Sequence, residues 1–519
     1  MFSKELYFIL EEKSLKEVFD LSVAFSKWLN DNKIKEISIN LNNIYEFFIA
    51  FFGTCNAKVK CFINANEGYV LNDVDFAKID LVHTQDKFLL DENFEFFVKT
   101  SGSSSKSKNI KKTFSQMINE AKALDKFLNL KEKTFFSSVP HLHLFGLTFR
   151  VFLPLISGGK IYSTTLNYPE IMQKINFKNG IFITSPTILK AIYRHNNLPN
   201  LAQISLMISA GSKLNDDLRK NLIAKYNIKI MEIYGSSETG VIARKFEDEF
   251  EIFDEVEIFT KEDNRFFINS MWCKDFLSND VGKVDGKKLI LSGRLDRIVK
   301  LNDVRFNLDD AENLLKTHEF ISDAKCGILD NDNRVSTIIT LSDIGKKAFL
   351  KGGKKLIVDE LKALSKNDFK TNLRHFRIIE EIPYNENGKF KKDDFLNIFK
   401  TFKTPFIKKI TDKKIDENSS LFEFEIYTSE ESFFYEGHFN TFPITPGFIE
   451  IGFIYDALES LEFNIDMIKT IENIKFTALL RPFEKVILTI KKDKNIFNCQ
   501  IKGDKIYASA RAKFEDKKD

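Results

Sequence analysis

Short apolar runs and stretches of helical period alternate along most of the chain, and the form of that alternation changes near the C-terminus. Over residues 1–95 the runs ISINL and KVKCFI lie between helix-like stretches, the pattern of an α/β layer. From 96 to about 292 the runs GIFITS, ISLMISA and IKIMEIYG each pass into small or polar residues and then a helical stretch. Such runs predict buried strands of a mixed or parallel sheet with their loops gathered at one edge. Residues 293–398 predict a smaller α+β region ending in the turn-like NENGK, and the Lys-rich, Pro-interrupted segment 399–417 reads as a linker. Beyond it come a strand, a Pro/Gly turn, one apolar helix (FIEIGFIYDALESL) and strands of alternating face (KVILTIKKD, NIFNCQIKG, KIYASARAKF). That order predicts a helix wrapped by an antiparallel sheet.

Composition narrows the class. A chain of 519 residues is expected to hold several domains, each with its own core. Hydrophobic residues at 43% and charged residues at 29% exclude a disordered chain. The 77 basic and 74 acidic side chains leave a net charge of +3, so no overall field marks a nucleic-acid binder. Five cysteines without a CxxC pair argue against a disulfide framework or a zinc site and fit a reducing cytoplasm. The N-terminal twenty residues mix Glu, Asp and Lys among apolar positions, unlike a signal peptide, and no apolar run approaches the length of a membrane span. The 53 phenylalanines stand out against 10 prolines and 2 tryptophans. They read first as core filler.

Four loops carry chemistry. Residues Thr100 to Lys108 (TSGSSSKSK) offer backbone N–H groups and hydroxyls without bulk, with lysine charge, which suits a triphosphate. A flexible Ser/Lys surface loop is the plain alternative, and the spacing is not that of a Walker loop. Tyr234-Gly235-Ser236-Ser237-Glu238-Thr239-Gly240 follows an apolar strand and could stack a base, bind a phosphate and hold Mg²⁺. Gly293 to Lys300 (GRLDRIVK) and Pro383 to Lys389 (PYNENGK) could each be an ordinary turn with solvated charge.

In order and spacing these loops resemble the adenylate-forming superfamily of acyl-CoA synthetases, luciferases and peptide-synthetase adenylation domains, over about 95 to 398. The resemblance implies a large α/β subdomain (1–294) and a small mobile α+β lid (295–398). It assigns the β- and γ-phosphates of ATP to Thr100, Ser101, Gly102, Ser103, Ser104 and Lys108. Tyr234, next to Gly235, would stack on adenine, Ser237 would touch the α-phosphate and Glu238 would hold Mg²⁺. Asp280, helped by Arg294, would bind the ribose hydroxyls. Asp296 would be the hinge, and Lys389 would bridge acyl carboxylate, ribose and phosphate. Pro140-x-x-His143-x-x-Gly146 resembles the stretch near the acyl pocket, and Ser209-Ala210-Gly211-Ser212 the adenine-side loop. Ser105 and Ser107 replace the usual Gly and Pro, and the region before the loop is short for the family.

The C-terminal turn holds His438, a candidate general base near neutral pH, and Gly447, whose N–H at a helix start could face a carbonyl oxygen. GHFxxxPxxPG resembles the signature of hotdog-fold β-hydroxyacyl-ACP dehydratases over about 418 to 515, within a domain at 418–519. That family places its acid fourteen residues after the histidine, where this chain has Gly452. Asp456, one turn further on, and Glu450 are the substitutes at hand, and a dimer of identical chains cannot restore the missing acid. A dehydratase, a thioesterase and an inactive acyl-binding, dimerising module all remain open.

No Lys or Arg falls between Lys414 and Lys469, whereas thirteen fall from Lys469 onward. A basic face there could receive an acidic acyl carrier protein or a CoA phosphate, or be an ordinary solvated strand face. The expected activity is ATP- and Mg²⁺-dependent ligation of a fatty or aryl acid to a phosphopantetheine thiol of CoA or acyl carrier protein, with a homodimer or higher assembly expected through the hotdog domain. The pairing resembles fatty-acid-like and aryl polyene biosynthesis. The alternative of another class is a non-catalytic acyl-carrier binding protein. Phe135, Phe136, Phe145, Phe149 and Phe182, with Phe433, Phe434, Phe439, Phe442, Phe448 and Phe453, cluster by the two expected acyl sites and are candidate pocket walls.

Overall fold

Each apolar run named above becomes a strand or a buried helix in the computed structural model. It describes the chain except residues 1, 3–4, 83–86, 101–107, 302–303, 330–333, 369–372, 385–389, 401–405, 436, 440 and 516–519. The chain divides into two units, Met1–Asp296 with Tyr384–Lys391, and Arg297–Pro383 with Lys392–Asp519.

The first unit is built on a thirteen-stranded and a five-stranded sheet. In the larger sheet Lys160–Thr165, Thr134–Ser137, Gly180–Thr184, Ile204–Ser209 and Ile230–Ser236 lie side by side and parallel. Their C-terminal ends therefore share one edge, where α/β ligands collect. The sheet continues antiparallel through Gly240–Lys245, Phe250–Ile252, Lys288–Arg294 and Phe276–Asp285, a register that sets Asp280 opposite Arg294. In the smaller sheet Glu95–Thr100 and Lys108–Thr113 form an antiparallel pair with Thr100 opposite Lys108.

Phenylalanine fills the core of this unit. The helix Ile44–Ala57 is apolar on nearly every face, and Phe47, Phe48, Phe51 and Phe52 are fully buried. Burial of side chains this size is worth about 1.5–3 kcal/mol each. The Asn43 side chain caps the helix by accepting from the Tyr45 and Glu46 N–H groups.

In the second unit a three-stranded sheet, Ile321–Ile328, Val335–Leu341 and Leu373–Ile378, packs with the helix Leu308–Lys316. The C-terminal part is a six-stranded antiparallel sheet. The helix Gly447–Ser460 sets Phe453, Ile454, Ala457 and Leu458 into its core. The expected linker is corrected here: Phe406–Lys414, inside 399–417, is an edge strand paired with Ser419–Tyr427. Its lysines suit an edge, where charge blocks unwanted pairing, and that composition had read as a linker.

The expected lid and hotdog regions share this unit and interlock. Phe483 packs on the core of the three-stranded region, its ring 5.8 Å from that of Phe349. The Arg481 guanidinium donates to the Leu350 carbonyl, and the Glu380 N–H donates to Glu431 Oε1 at 2.6 Å. Among the described residues no helix is long and apolar enough to cross a membrane.

Candidate functional site

At the shared edge of the large sheet, side chains distant in sequence are bonded to one another. The Tyr234 hydroxyl donates to Asp280 Oδ2 at 2.6 Å. Arg294 Nη1 lies 3.4 Å from Asp280 Oδ1, and its Nε and Nη2 donate to the Asp296 carboxylate at 2.9 and 3.2 Å. The hydrogen bond to Asp296 holds the Arg294 pKa above its ordinary value, so the guanidinium is a fixed cation. Burial, with the neighbouring Asp280 charge, pushes the Tyr234 hydroxyl far up, so it stays a neutral donor. Asp296 closes the first unit, while the next residue, Arg297, is bonded in the second to Asp309, Glu312 and the Cys326 carbonyl.

Glu238 sits exposed at the turn between Ile230–Ser236 and Gly240–Lys245. Ser236 N–H donates to Thr239 Oγ1 at 3.0 Å and Thr239 N–H to Ser236 Oγ at 3.2 Å, which closes the turn. Gly235 is required there, since a Cβ would lie 2.1 Å from the Gly240 carbonyl oxygen. Ser237 lies between these bonded residues. Among the described residues no group of three or more His, Cys, Asp or Glu could hold a metal ion. A single exposed carboxylate nevertheless fits Mg²⁺, which takes one or two carboxylates together with substrate phosphates. Gly211, at φ 100°, follows the end of Ile204–Ser209. Ser101, Gly102, Ser103, Ser104 and Lys389 lie outside the described residues, and Thr100 and Lys108 are placed as the paired strand ends that flank 101–107.

The Pro140–Gly146 turn is set from below. An added Cβ at Gly146 would fall 2.0 Å from the Pro140 carbonyl oxygen. His143, half-buried, begins the short helix Leu144–Gly146. The buried Arg150 guanidinium donates to the carbonyls of Val139 and Ser163 and to Thr165 Oγ1, and burial pushes its pKa down to about 9. His141 Nε2 bonds the Leu41 carbonyl at 2.8 Å, and burial keeps this ring neutral. Phe145, Ala210 and Tyr234 pack against the same core cluster as Phe135 and Phe149, whereas Phe136 and Phe182 belong to another cluster. The latter two are buried, as are Phe434 and Phe453.

In the C-terminal domain His438 is half-buried in its turn, its ring stacked on Phe439 with centroids 4.7 Å apart. Gly447 opens the helix, where a Cβ would lie 2.7 Å from the Phe476 ring. The two substitute acids face different surroundings. Glu450 is 3% exposed, its Oε2 has no hydrogen-bond partner among the described residues, and burial with the charge of Glu484 pushes its pKa up to about 8. Asp456 is exposed, and partial burial raises its pKa from the ordinary value. Between them, a Cβ at Gly452 would meet nothing within 4 Å.

Residues 82–256 match the family model of the AMP-binding enzymes, and residues 412–511 match the ApeI-like model, that of the ApeI dehydratase. The chain thus joins an AMP-binding domain to an ApeI-like dehydratase domain. The ATP-bound MatB from Rhodopseudomonas palustris superposes with a TM-score of 0.64 at 12% identity, over 76% of this chain and 95% of its own. A benzoate CoA ligase from Burkholderia xenovorans LB400 gives 0.62 at 14%, over 76% and 96%. The O-succinylbenzoate CoA synthetase MenE from Bacillus subtilis, in complex with AMP, gives 0.62 at 15%, over 75% and 94%. These likenesses are of fold, that of the adenylate-forming ligases.

Sequence reasoning missed Lys112 and Glu120, which support the Glu238 turn, and Arg150. Glu120 had a readable signal: it lies three residues after Met117 and four before Leu124, on the buried stripe of an amphipathic helix. A lysine in a short strand carries no such mark.

Proposed function

We propose that the chain activates a carboxylic acid with ATP and transfers it to a thiol, and that its C-terminal domain takes a β-hydroxyacyl thioester. The observation that carries the first half is the bonded set Tyr234, Asp280, Arg294 and Asp296, at the sheet edge that also presents Glu238 and Gly211. A ribose needs acceptors fixed in place, and Asp280 is held by both Tyr234 and Arg294. The acid's own carboxylate oxygen attacks the α-phosphorus and pyrophosphate leaves, so the protein supplies position and charge. Glu238 would hold Mg²⁺, which supplies charge neutralisation on the phosphates when bound. Thr100 to Ser104 and Lys108 take the β- and γ-phosphates, Ser237 the α-phosphate, and Lys389 the incoming carboxylate. The thiol then attacks the acyl carbon, the acyl–oxygen bond breaks, and AMP leaves with the former carboxylate oxygen. Asp296, beside the change of bonding partners at Arg297, is the pivot for this second step.

The acid is fatty or aryl, the thiol the phosphopantetheine of CoA or an acyl carrier protein. In the C-terminal domain His438 is the base, the Gly447 N–H faces the thioester carbonyl, and Asp456 is the acid. A second reading, an acyl-binding module, is favoured by the missing side chain at Gly452. Association through this domain is supported by exposed Phe439, Phe442, Phe448 and Phe476, at 54, 45, 71 and 49%. Pyrophosphate release with a panel of fatty and aromatic acids tests the ligase: release with at least one acid is expected, and none with any acid refutes it. Unchanged release in Lys389→Ala would remove that lysine from the chemistry.

A further inference from the structure

Beneath the Glu238 turn lie two buried ionisable side chains, Lys112 and Glu120, that the chemistry above does not use. Lys112, 3% exposed, reaches out of the strand Lys108–Thr113 in the five-stranded sheet, and its Nζ donates to the backbone carbonyl of Glu238 at 2.8 Å. Glu120, 2% exposed, lies on the helix Phe114–Leu128 that follows. Its Oε1 accepts from the Val241 N–H at 2.7 Å and its Oε2 from Thr148 Oγ1 at 3.0 Å. A Cβ at Gly240, where φ is +69°, would lie 2.6 Å from Glu120 Oε1, so the turn rests directly on this carboxylate. Trp272, 1% exposed, completes the cradle by donating from Nε1 to the Val241 carbonyl at 3.2 Å.

Burying an ammonium and a carboxylate costs several kcal/mol per ion, and an apolar pair of the same volume packs at no such cost. What the pair adds is position. Burial drives the Lys112 pKa down and the Glu120 pKa up, and the opposite charge of each works against that shift. The ammonium clamps the residue at the turn's tip, and the carboxylate clamps the residue that re-enters the sheet. Lys112 lies in the five-stranded sheet and the Glu238 turn in the thirteen-stranded one, so this bond joins two sheets.

We propose that Lys112 and Glu120 are positioning residues that fix the Glu238 turn, and with it the Glu238 carboxylate, and so set the affinity for ATP with its divalent cation. The inference rests on the reading that Glu238 holds Mg²⁺. The test is calorimetric ATP binding to the full chain, with Mg²⁺ and with EDTA, in the wild type and in Lys112→Met, Glu120→Gln and Glu238→Gln. A clamp worth one charge-assisted hydrogen bond corresponds to about tenfold in affinity. The expected result is a Mg²⁺-dependent gain in ATP affinity that falls about tenfold in Lys112→Met and in part in Glu120→Gln, with affinity in EDTA unchanged. A purely structural role lowers both affinities together or neither. If Glu238→Gln abolishes the Mg²⁺ gain while a folded Lys112→Met keeps it, the positioning role is refuted and Glu238 stands. If Glu238→Gln keeps the gain, the Glu238 reading fails and takes the inference with it. Should Lys112→Met not fold, a wild-type Mg²⁺ gain in Glu120→Gln refutes the proposal by itself.

Discussion

At the edge of the large sheet four side chains are bonded into one set, whereas in the C-terminal domain His438, Gly447 and Asp456 are spread between a turn and an exposed helix face. In the first unit every described polar group of the set has its partner within the same fold, so the site's geometry exists before any ligand arrives. In the C-terminal domain His438 is half-buried, Gly452 leaves room without a side chain, and Phe439, Phe442 and Phe448 are exposed. The difference teaches where each function is decided: in the first case by bonds already made, in the second by what comes to cover the surface.

The largest effect that would sharpen this contrast is His438→Ala. Losing a general base lowers hydration of a trans-2-enoyl thioester by about 10²–10⁴-fold, with pyrophosphate release unchanged. Hydration equal in both proteins breaks the assignment. Asp280→Ala should act on the other half alone, lowering kcat/KM for ATP about 10²-fold, since Tyr234 loses its acceptor and Arg294 one of its two carboxylate partners. A wild-type value would show that the bonded set does not serve the nucleotide. Gly452→Glu should raise hydration about tenfold by placing an acid where there is open space, and should not lower Tm, because glycine is a poor helix former. A fall in both would argue that the space is needed by the ligand or by a second chain.

The smallest effect concerns stability. Glu450 in the folded chain titrates near pH 8, against 4.5 for the ordinary carboxyl. Above pH 4.5 the unfolded chain releases this proton and the folded chain does not, so the wild type loses stability as pH rises toward 8. Glu450→Gln removes that loss. The variant should match the wild type near pH 4 and exceed it by about 1–3 kcal/mol at pH 8, read by thermal melts. A gain that is the same at both pH values would show that Glu450 is not buried and protonated.

Much of this was legible in the order of the residues. Continuous runs such as GIFITS and ISLMISA predicted buried parallel strands because both faces must be apolar, and Gly180–Thr184 and Ile204–Ser209 are those strands. Tyr234, Asp280 and Arg294 were named from their loops, but their mutual bonds depend on the antiparallel register that sets Asp280 opposite Arg294. The strand Phe406–Lys414 was hidden because a lysine-rich edge and a linker share a composition. Lys112 was hidden because its burial follows from the meeting of two sheets, which no local pattern records. The interlock of Phe483 with the three-stranded region was hidden for the same reason.

Adenylation makes one demand that no hydrolysis of ATP to ADP can imitate: an oxygen of the acid must end on phosphorus. The most direct measurement is therefore the fate of ¹⁸O from a labelled carboxylic acid, turned over with ATP, Mg²⁺ and a phosphopantetheine thiol, with AMP analysed by mass spectrometry. One labelled oxygen in each AMP, formed together with pyrophosphate and more slowly in Asp280→Ala, is the predicted result. Unlabelled AMP, or ADP as the nucleotide product, would contradict the account.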